Sequence, residues 1–331
     1  MTDYPLFECI DAGTENCPCY LAESGNCLSC SRLAGKECSS CQWHGVCIYN
    51  EYIQNGKVIK NTRQEQEVKI VSKKRYDEET ALFVLDVGKG MAMKCFMPGT
   101  YIFLRREESQ GYFNVPIAVM NADVEKGYIK IMVKAISAKT KFLIEEEEKL
   151  FIRGPYKNGV FGVEHINDLL KQSKMEKKPP RILIIAKGIG MAPAEKLVQF
   201  LAGWCPATIM LDGAKVTDEM IEDCLEDEPD DYYLIDMAKE EDLELLEQEL
   251  ESGDYAALCL FTSDFFANLI GTAAQELGFE GKILLSNNFN ICCGEGICGA
   301  CSIAGENGET IKMCKCKLSG EEILKRKVIF T

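Results

Sequence analysis

The pattern of hydrophobic and polar positions changes along the chain and divides it into regions. Over residues 68–152, short runs rich in β-branched and aromatic residues are separated by Gly, Pro, Asn and Asp. This spacing is typical of an all-β sheet or barrel. From Pro179 onward, apolar strand-like runs alternate with stretches whose apolar residues recur at helical spacing. That alternation predicts a parallel α/β sheet.

Two cysteine-rich segments flank these regions. Eight cysteines lie in residues 9–47 and six lie in residues 292–316, out of 18 in the chain. A polar stretch at residues 55–67 has no apolar periodicity and is typical of a turn and linker. The predicted domains are a cysteine-rich metal module at residues 1–60, a β-barrel at 61–160, an α/β domain at 161–285 and a cysteine-loop domain at 286–331.

Composition narrows the classes of function. The chain has 331 residues, of which 47% are hydrophobic, enough for two or three buried cores. Its 37 basic and 52 acidic residues give a net charge of -15, so we expect no nucleic acid partner. No stretch approaches the roughly 18 to 20 apolar residues that cross a bilayer, and the first residues lack a signal-peptide pattern. We therefore expect a cytoplasmic protein with no membrane partner, in which metal explains the cysteines better than disulfides do.

The C-terminal segment carries the most specific chemical signature. The spacing Cys-x4-Cys-x2-Cys-x12-Cys is formed by Cys293, Cys298, Cys301 and Cys314. Spacings of this type are typical of a [2Fe-2S] cluster, with three thiolates on one loop and the fourth from a later strand or turn. The glycines at 294, 296 and 299 allow positive φ and let backbone N–H groups point at the sulfurs.

A structural zinc site is the alternative for these four cysteines. Zinc ribbons favour two Cys-x2-Cys knuckles and lack the x4-x2 loop, so the pattern favours the cluster. Cys292 and Cys316 are close neighbours of the four in sequence, and we treat them as spare ligands or packing residues.

The N-terminal module has enough thiols for two four-ligand sites. Its cysteines are Cys9, Cys17, Cys19, Cys27, Cys30, Cys38, Cys41 and Cys47. So short a segment has few apolar residues to bury, so bound metal is expected to stabilise it. Zinc and one or two [4Fe-4S] clusters are both open, and the neighbouring iron-sulfur signature favours clusters. The sequence does not show which four cysteines share a site.

The order of these regions resembles a known superfamily. A β-barrel, an α/β unit opened by a Gly-Ile-Gly-x-Ala-Pro turn and the C-terminal cysteine loop resemble the electron-transfer subunit of dihydroorotate dehydrogenase. They are similar as well to the small subunit of NADH-dependent ferredoxin:NADP oxidoreductase, in the ferredoxin-reductase superfamily. The resemblance covers about residues 66–331 and implies FAD in the barrel, NAD(P) on the α/β unit and a [2Fe-2S] cluster that passes electrons onward.

The resemblance also implies a set of flavin contacts. Residues 98–101 match the family's Pro-Gly-Gln-Phe, and residues 114–118 occupy the place of Arg-x-Pro-Leu-Thr without its phosphate-binding arginine. Residues 137–140 stand where the family has Gly-x-Gly-Thr beside the FAD pyrophosphate, and residues 154–159 match Gly-Pro-x-Gly-Asn-Gly. The implied FAD residues are Tyr101, Asn114, Val115, Pro116, Ile117, Ala118, Thr140, Gly154 and Asn158.

The nicotinamide site departs from the family pattern. Gly188 and Gly190 provide a glycine turn before a helix, which is a physical anion site. Ala186 and Lys187 replace glycines that would allow close backbone approach, and the acidic run at residues 239–251 would repel a phosphate. These departures weigh against direct NAD(P)H binding.

Three hypotheses follow for function. The first is an electron-transfer flavoprotein, an oxidoreductase or a subunit of one, that moves electrons between FAD, the [2Fe-2S] cluster and a redox partner protein. The second is a self-sufficient NAD(P)H-dependent reductase. The third is a metal-binding scaffold or redox sensor without flavin. His44 and His165 form no nucleophile and base pattern, so we predict no catalytic residue of that kind.

Overall fold

The computed structural model describes residues 7–107, 114–175, 178–225, 231–305 and 308–327. The strands in chain order are β1 (Glu65–Arg75), β2 (Thr80–Asp86), β3 (Tyr101–Arg105), β4 (Val115–Asp123), β5 (Tyr128–Lys134), β6 (Lys149–Tyr156), β7 (Val160–Phe161), β8 (Arg181–Lys187), β9 (Ala207–Asp212), β10 (Asp231–Ile235), β11 (Tyr255–Phe261), β12 (Lys282–Ser286), β13 (Ser302–Ala304) and β14 (Thr310–Lys312). The helices are α1 (Tyr20–Glu23), α2 (Ile48–Gln54), α3 (Lys89–Lys94), α4 (Ala138–Ile144), α5 (His165–Met175), α6 (Met191–Leu201), α7 (Asp218–Cys224), α8 (Glu240–Ser252), α9 (Asp264–Glu276) and α10 (Gly320–Lys327).

The first large unit is a closed antiparallel barrel. Its strand order is β1-β2-β5-β4-β3-β6, and closure leaves no unpaired strand edge in it. Alternate residues of each strand point inward, and the buried interior includes Phe83, Ile102 and Ile131. The predicted barrel is confirmed, because the short β-branched runs become its strands.

The second unit is an α/β sheet in the order β10-β9-β8-β11-β12-β7. Neighbouring strands from β10 to β12 are parallel, and β7 pairs antiparallel with β12 at the edge. The inner strand β8 is buried along its middle, which fits its unbroken apolar run. The predicted parallel sheet is confirmed. Strand β7 was not predicted, because two residues carry no periodicity.

Two short helices interrupt the barrel region and were not predicted. Helix α4 begins after Ser137, whose side chain accepts a hydrogen bond from the Thr140 N–H in a capping box. Leu143 and Ile144 of this helix are buried. The sequence analysis treated the segment as a barrel turn, because seven residues are too few to show helical periodicity.

The N-terminal module pairs with the C-terminal turn. Cys9 and Cys316 form an isolated antiparallel bridge. The Ile10 N–H donates to the Lys315 carbonyl oxygen at 2.9 Å, and the Lys317 N–H donates to the Glu8 carbonyl oxygen at 2.8 Å. Backbone pairing therefore places the two cysteine-rich segments side by side, although nearly the whole chain separates them in sequence.

Among the described helices, none combines the length and the apolar character needed to cross a membrane. The domain limits near residues 60, 160 and 285 stay predictions. The predicted outer limits at residues 1 and 331 lie outside the described residues.

Candidate functional site

A cavity of about 750 Å³ lies between the barrel and the α/β sheet. That is within the usual range for small-molecule and cofactor sites. The barrel side of its lining consists of Gly99, Thr100, Tyr101, Pro116, Ala118 and Val119. The sheet side includes Lys187, Phe261 and Ser286, which end β8, β11 and β12. The cavity thus lies at the carboxyl ends of parallel strands, where open α/β sheets bind ligands.

The cavity contains part of the predicted cofactor set. Tyr101, Pro116, Ala118 and Gly190 belong to its lining. Val115 and Ile117 instead pack against the barrel core, because alternate residues of β4 face opposite sides. The predicted residues outside the lining are Asn114, Val115, Ile117, Thr140, Gly154, Asn158 and Gly188.

Tyr101 has a buried hydroxyl group that a bound ligand would satisfy. Its side chain is buried, yet its Oη has no hydrogen-bond partner among the described residues. Burial raises the pKa of Tyr101, so the phenol keeps its proton and can donate. A buried hydroxyl without a partner costs about 1 to 3 kcal/mol. A flavin ring, with several nitrogen and oxygen acceptors and a large apolar face, fits this cavity and this donor.

Two predicted FAD residues have their polar groups engaged elsewhere. The Thr140 hydroxyl accepts from the Ser137 N–H at 2.9 Å and so caps helix α4. The Asn158 amide donates to the carbonyl oxygens of Met313 and Cys316, at 2.6 and 3.0 Å. Asn158 therefore fixes the C-terminal cysteine turn against the barrel and does not face the cavity.

The glycine turn before α6 is packed against the sheet. A Cβ added to Gly190 would lie 1.9 Å from the Phe261 carbonyl oxygen, so the glycine is required by this close approach. Lys187 forms an ion pair with buried Asp212 across the ends of β8 and β9, and its ammonium lies 4.8 Å from the Phe266 ring centroid. These contacts hold the Lys187 ammonium against protein groups beside the glycine turn.

The four C-terminal cysteines come together in one connected group. Side-chain hydrogen bonds link Cys298 to Cys293, Cys293 to Cys314 and Cys314 to Cys301. The contact with Cys314 is the main cause that lowers the pKa of Cys293 to about 4, and it likewise lowers the pKa of Cys301 to about 6. The same contacts raise the pKa of Cys314, and burial raises that of Cys298. The four thiols therefore share protons in the metal-free protein, and their mutual contact suits ligation once a metal displaces those protons.

The loop backbone has the conformation that the cluster prediction requires. Gly294, Gly296 and Gly299 adopt φ of 70°, 75° and 78°, as predicted. The Glu295 N–H donates to the Cys293 sulfur at 3.3 Å. Backbone donors of this kind stabilise thiolates and adjust cluster potentials.

The spacing of the thiols differs from that of a single-ion site. Among residues that the structure describes, no three His, Cys, Asp or Glu side chains are arranged to hold a metal ion. A two-iron cluster takes two thiolates at each iron, so its ligands form two pairs around a larger group. The four thiols in mutual contact at the C-terminal loop supply the number of ligands that such a cluster takes.

A buried network of charges lies behind the loop and was not predicted. Arg63 contacts Asp11 at 2.7 Å and Glu295 at 3.4 Å. Lys315 contacts the same two carboxylates at 2.5 and 3.1 Å. The Tyr156 hydroxyl donates to Glu295 at 2.9 Å. We call Asp11, Arg63, Glu295 and Lys315 the charge network; each of their side chains is at most 8% exposed.

Aromatic side chains form the wall between the cavity and the cysteine loop. Tyr101 stacks on Tyr156 with ring centroids 5.2 Å apart, and Phe103 meets Tyr156 edge-on at 5.1 Å. A Cβ added to Gly294 would lie 2.5 Å from Tyr156 and 2.9 Å from Phe103. Tyr101, Tyr156, Cys301 and Cys314 belong to one buried cluster of side chains. One side chain, Tyr101, therefore borders both the cavity and the cysteine cluster.

The N-terminal cysteines fall into two environments. Cys9, Cys17, Cys19 and Cys27 line one small cavity. Cys30 is buried beside it, whereas Cys38, Cys41 and Cys47 are exposed.

Comparison with known proteins identifies the fold. No family model matches the chain, and no curated protein matches its sequence. A solved structure of an NADH-dependent reduced ferredoxin-NADP oxidoreductase, studied for flavin-based electron bifurcation, superposes with a TM-score of 0.58. It is 18% identical, and the match covers 79% of this chain and 93% of that one. The chain has a ferredoxin-reductase-like fold.

Two further solved structures with weaker superposition were found. Phthalate dioxygenase reductase has a TM-score of 0.49 at 13% identity, over 77% of this chain and 96% of that one. A ferredoxin NADP+ reductase from Neisseria gonorrhoeae has a TM-score of 0.48 at 12% identity, over 69% of this chain and all of that one. The fold class predicted from the sequence, a flavin-type barrel followed by a nucleotide-type α/β domain, is confirmed by the first match and by the strand order.

Within this ferredoxin-reductase-like fold, the cysteine loop offers a matched pair of variants. We expect Cys293→Ser to remove most of the visible absorbance of a cluster at this loop, because a serine hydroxyl is a much weaker iron ligand than a thiolate. Cys292→Ser should leave the spectrum unchanged, since Cys292 is the exposed neighbour. Absorbance and iron content of the anaerobically purified proteins measure both effects. Equal loss of iron in the two variants, or none in either, would contradict the assigned ligands.

The charge network predicts a large difference between two neighbouring lysines. We expect Lys315→Met to lower the free energy of unfolding by about 3 to 5 kcal/mol, because two buried carboxylates then share one cation. Lys317→Met should cost less than about 1 kcal/mol, because Lys317 and its partner Glu8 are 27% and 57% exposed. Denaturant unfolding followed by circular dichroism gives both values. Similar losses for the two variants would show that the network does not stabilise the fold.

Proposed function

We propose that this protein is an iron-sulfur flavoprotein that relays electrons between FAD, a [2Fe-2S] cluster and a partner redox protein. The observation that carries the proposal is the position of Tyr101, which lines the 750 Å³ cavity and also belongs to the buried cluster of side chains that contains Cys301 and Cys314. A flavin in the cavity and a cluster on the loop would share this one residue as their boundary. Electron transfer between a flavin and a cluster requires a short distance between the two groups.

The chain's residues supply a specific place for FAD. Tyr101 offers a buried donor, and Pro116 and Ala118 offer apolar contact to the ring. Phe261 and Phe289 on the opposite side help to exclude water. When bound, FAD supplies the conversion between two-electron and one-electron steps, while the protein sets its position and electrostatics.

The four C-terminal cysteines hold the cluster in this proposal. Cys301 and Cys314 are buried against the aromatic wall, whereas Cys298 is exposed. Ile297, next to it, is 55% exposed, so the tip of the loop presents an apolar surface. A cluster with a buried side toward the flavin and an exposed side toward solvent suits transfer to a partner protein. We therefore infer that the partner docks at this tip.

A second candidate is a reductase that accepts hydride directly from NADH or NADPH. Gly190 and Pro193 line the same cavity at the start of α6, where backbone donors and the helix dipole favour a phosphate. The ion pair of Lys187 with Asp212 opposes this candidate, because it engages a cation of the cavity lining within the protein. The relay is therefore the better-supported function.

An anaerobic absorbance titration separates the two candidates. We expect flavin and cluster bands in the purified protein, unchanged by NADH or NADPH and bleached by dithionite, because Asp212 holds the lysine beside the glycine turn. Bleaching at near-stoichiometric nucleotide would establish the reductase instead. A protein that is reconstituted with FAD and iron and still shows neither set of bands would contradict both candidates.

Tyr101→Phe tests the flavin contact itself. Removing the hydroxyl should weaken FAD binding about two- to tenfold, the effect of one hydrogen bond, without lowering the stability of the flavin-free protein. Tyr76→Phe is the control, because its hydroxyl bonds Asp223 at 2.8 Å away from the cavity. Fluorescence titration of flavin-free protein with FAD measures the dissociation constants. Unchanged affinity in Tyr101→Phe would place the flavin elsewhere.

A further inference from the structure

The cavity between the barrel and the α/β sheet has a buried lysine in its wall. Gly190, Pro193 and Lys196 all line this cavity. They follow one another at intervals of three residues from the start of α6, so they share one face of the helix. Lys196 is only 1% exposed, and lysine is rarely buried to this extent. Its side chain therefore borders the cavity while it is shielded from bulk water.

Two uncharged groups position the Lys196 ammonium. It donates to the Gln199 Oε1 at 3.1 Å and lies 5.0 Å from the centroid of the Phe96 ring. The Gln199 amide nitrogen donates in turn to the Asn121 Oδ1 at 2.8 Å, which turns the Gln199 oxygen toward the lysine. Because neither the amide nor the ring carries a charge, these contacts orient the ammonium without neutralising it.

The acidic neighbour of this lysine in sequence, Glu195, is engaged by barrel residues outside the cavity lining. Its Oε1 accepts from the Asn121 amide at 2.8 Å and lies 3.9 Å from the Lys130 ammonium. Lys130 also donates to the Asp223 carbonyl oxygen at 3.1 Å. Neither Glu195 nor Lys130 lines the cavity. Helix α6 therefore presents its lysine to the cavity and its glutamate to strands β4 and β5.

The charges of the cavity lining lie on the side of the α/β sheet. The charged lining residues are Lys187, Lys196 and Asp264. Lys187 forms the ion pair with Asp212 described above, so its charge is matched within the protein. Strand β4 contributes only uncharged residues to the lining. An anionic group of a ligand in the cavity is therefore expected to lie at Lys196.

The position of Lys196 relative to Tyr101 suits a flavin nucleotide. Tyr101 pairs with Ala118 of β4, and Asn121, which holds the amide that contacts Lys196, lies three residues further along that strand. At about 3.3 Å per residue, this separation is roughly 10 Å. A flavin nucleotide is an extended molecule, with a flat ring at one end and phosphate beyond a sugar-alcohol chain. A ring beside Tyr101 can therefore place its phosphate near Lys196.

We propose that Lys196 binds the phosphate of the flavin nucleotide in this cavity and makes the site select phosphorylated flavins over riboflavin. A hydrogen bond from an ammonium to a phosphate is charge-assisted and roughly twice as strong as one between neutral groups. The inference rests on the proposed flavin site and adds to it the residue that recognises the phosphate.

Three flavins test the phosphate contact on the unsubstituted protein. The full chain, freed of flavin, should bind FMN and FAD about 10- to 100-fold more tightly than riboflavin, which has the same ring without phosphate. Quenching of flavin fluorescence on titration with protein gives the three dissociation constants. Equal affinities for riboflavin and FMN would overturn the inference and leave the flavin site standing. Absence of binding by all three flavins would contradict the proposed function and the inference together.

Two variants test whether Lys196 is the residue responsible. Lys196→Met keeps the length of the side chain without its charge, and should weaken FMN binding about 10- to 100-fold while riboflavin binding changes less than about twofold. Lys130→Met is the matched control, because it removes a cation of the same hydrogen-bonded group that does not line the cavity. It should keep the preference for FMN. Equal weakening of both flavins in Lys196→Met, or an unchanged preference for FMN, would overturn the proposal.

Discussion

The buried charge network of Asp11, Arg63, Glu295 and Lys315 holds together the parts on which function depends. Two cations and two carboxylates meet out of contact with water, and each ion would be costly to bury without its partners. They come from the N-terminal module, the linker, the cysteine loop and the C-terminal turn. Because no member is satisfied alone, these four segments are fixed relative to one another. The network thereby sets the separation between the two cysteine-rich sites.

The charge network is connected to the cavity through the aromatic side chains of the wall. Glu295 accepts a hydrogen bond from Tyr156, and Tyr156 stacks on Tyr101, which borders the cavity. Gly294 has no side chain, so the loop lies directly against Tyr156 and Phe103. The cavity, the cysteine loop and the N-terminal cysteines are therefore consecutive neighbours in the fold. The α/β sheet completes the cavity, and Lys187 at its edge is held in an ion pair with Asp212.

What the sequence could predict depended on whether the signal was local. The barrel strands and the buried strand β8 follow from period-2 patterns and apolar runs, and the proposed C-terminal ligands were predicted from the spacing of four cysteines within 22 residues. The charge network carries no such signal, because Lys315 and Asp11 are 304 residues apart. Thr140 and Asn158 were assigned to FAD by resemblance, but their polar groups cap a helix and hold the cysteine turn. A short turn motif does not show which of its possible partners will be nearest.

The most direct test of the account is a crystal structure of the anaerobically purified protein with anomalous diffraction recorded at the iron absorption edge. The account predicts two iron positions among Cys293, Cys298, Cys301 and Cys314, and electron density for a flavin ring against Tyr101. A single metal ion at the loop, or flavin bound away from the cavity, would contradict it.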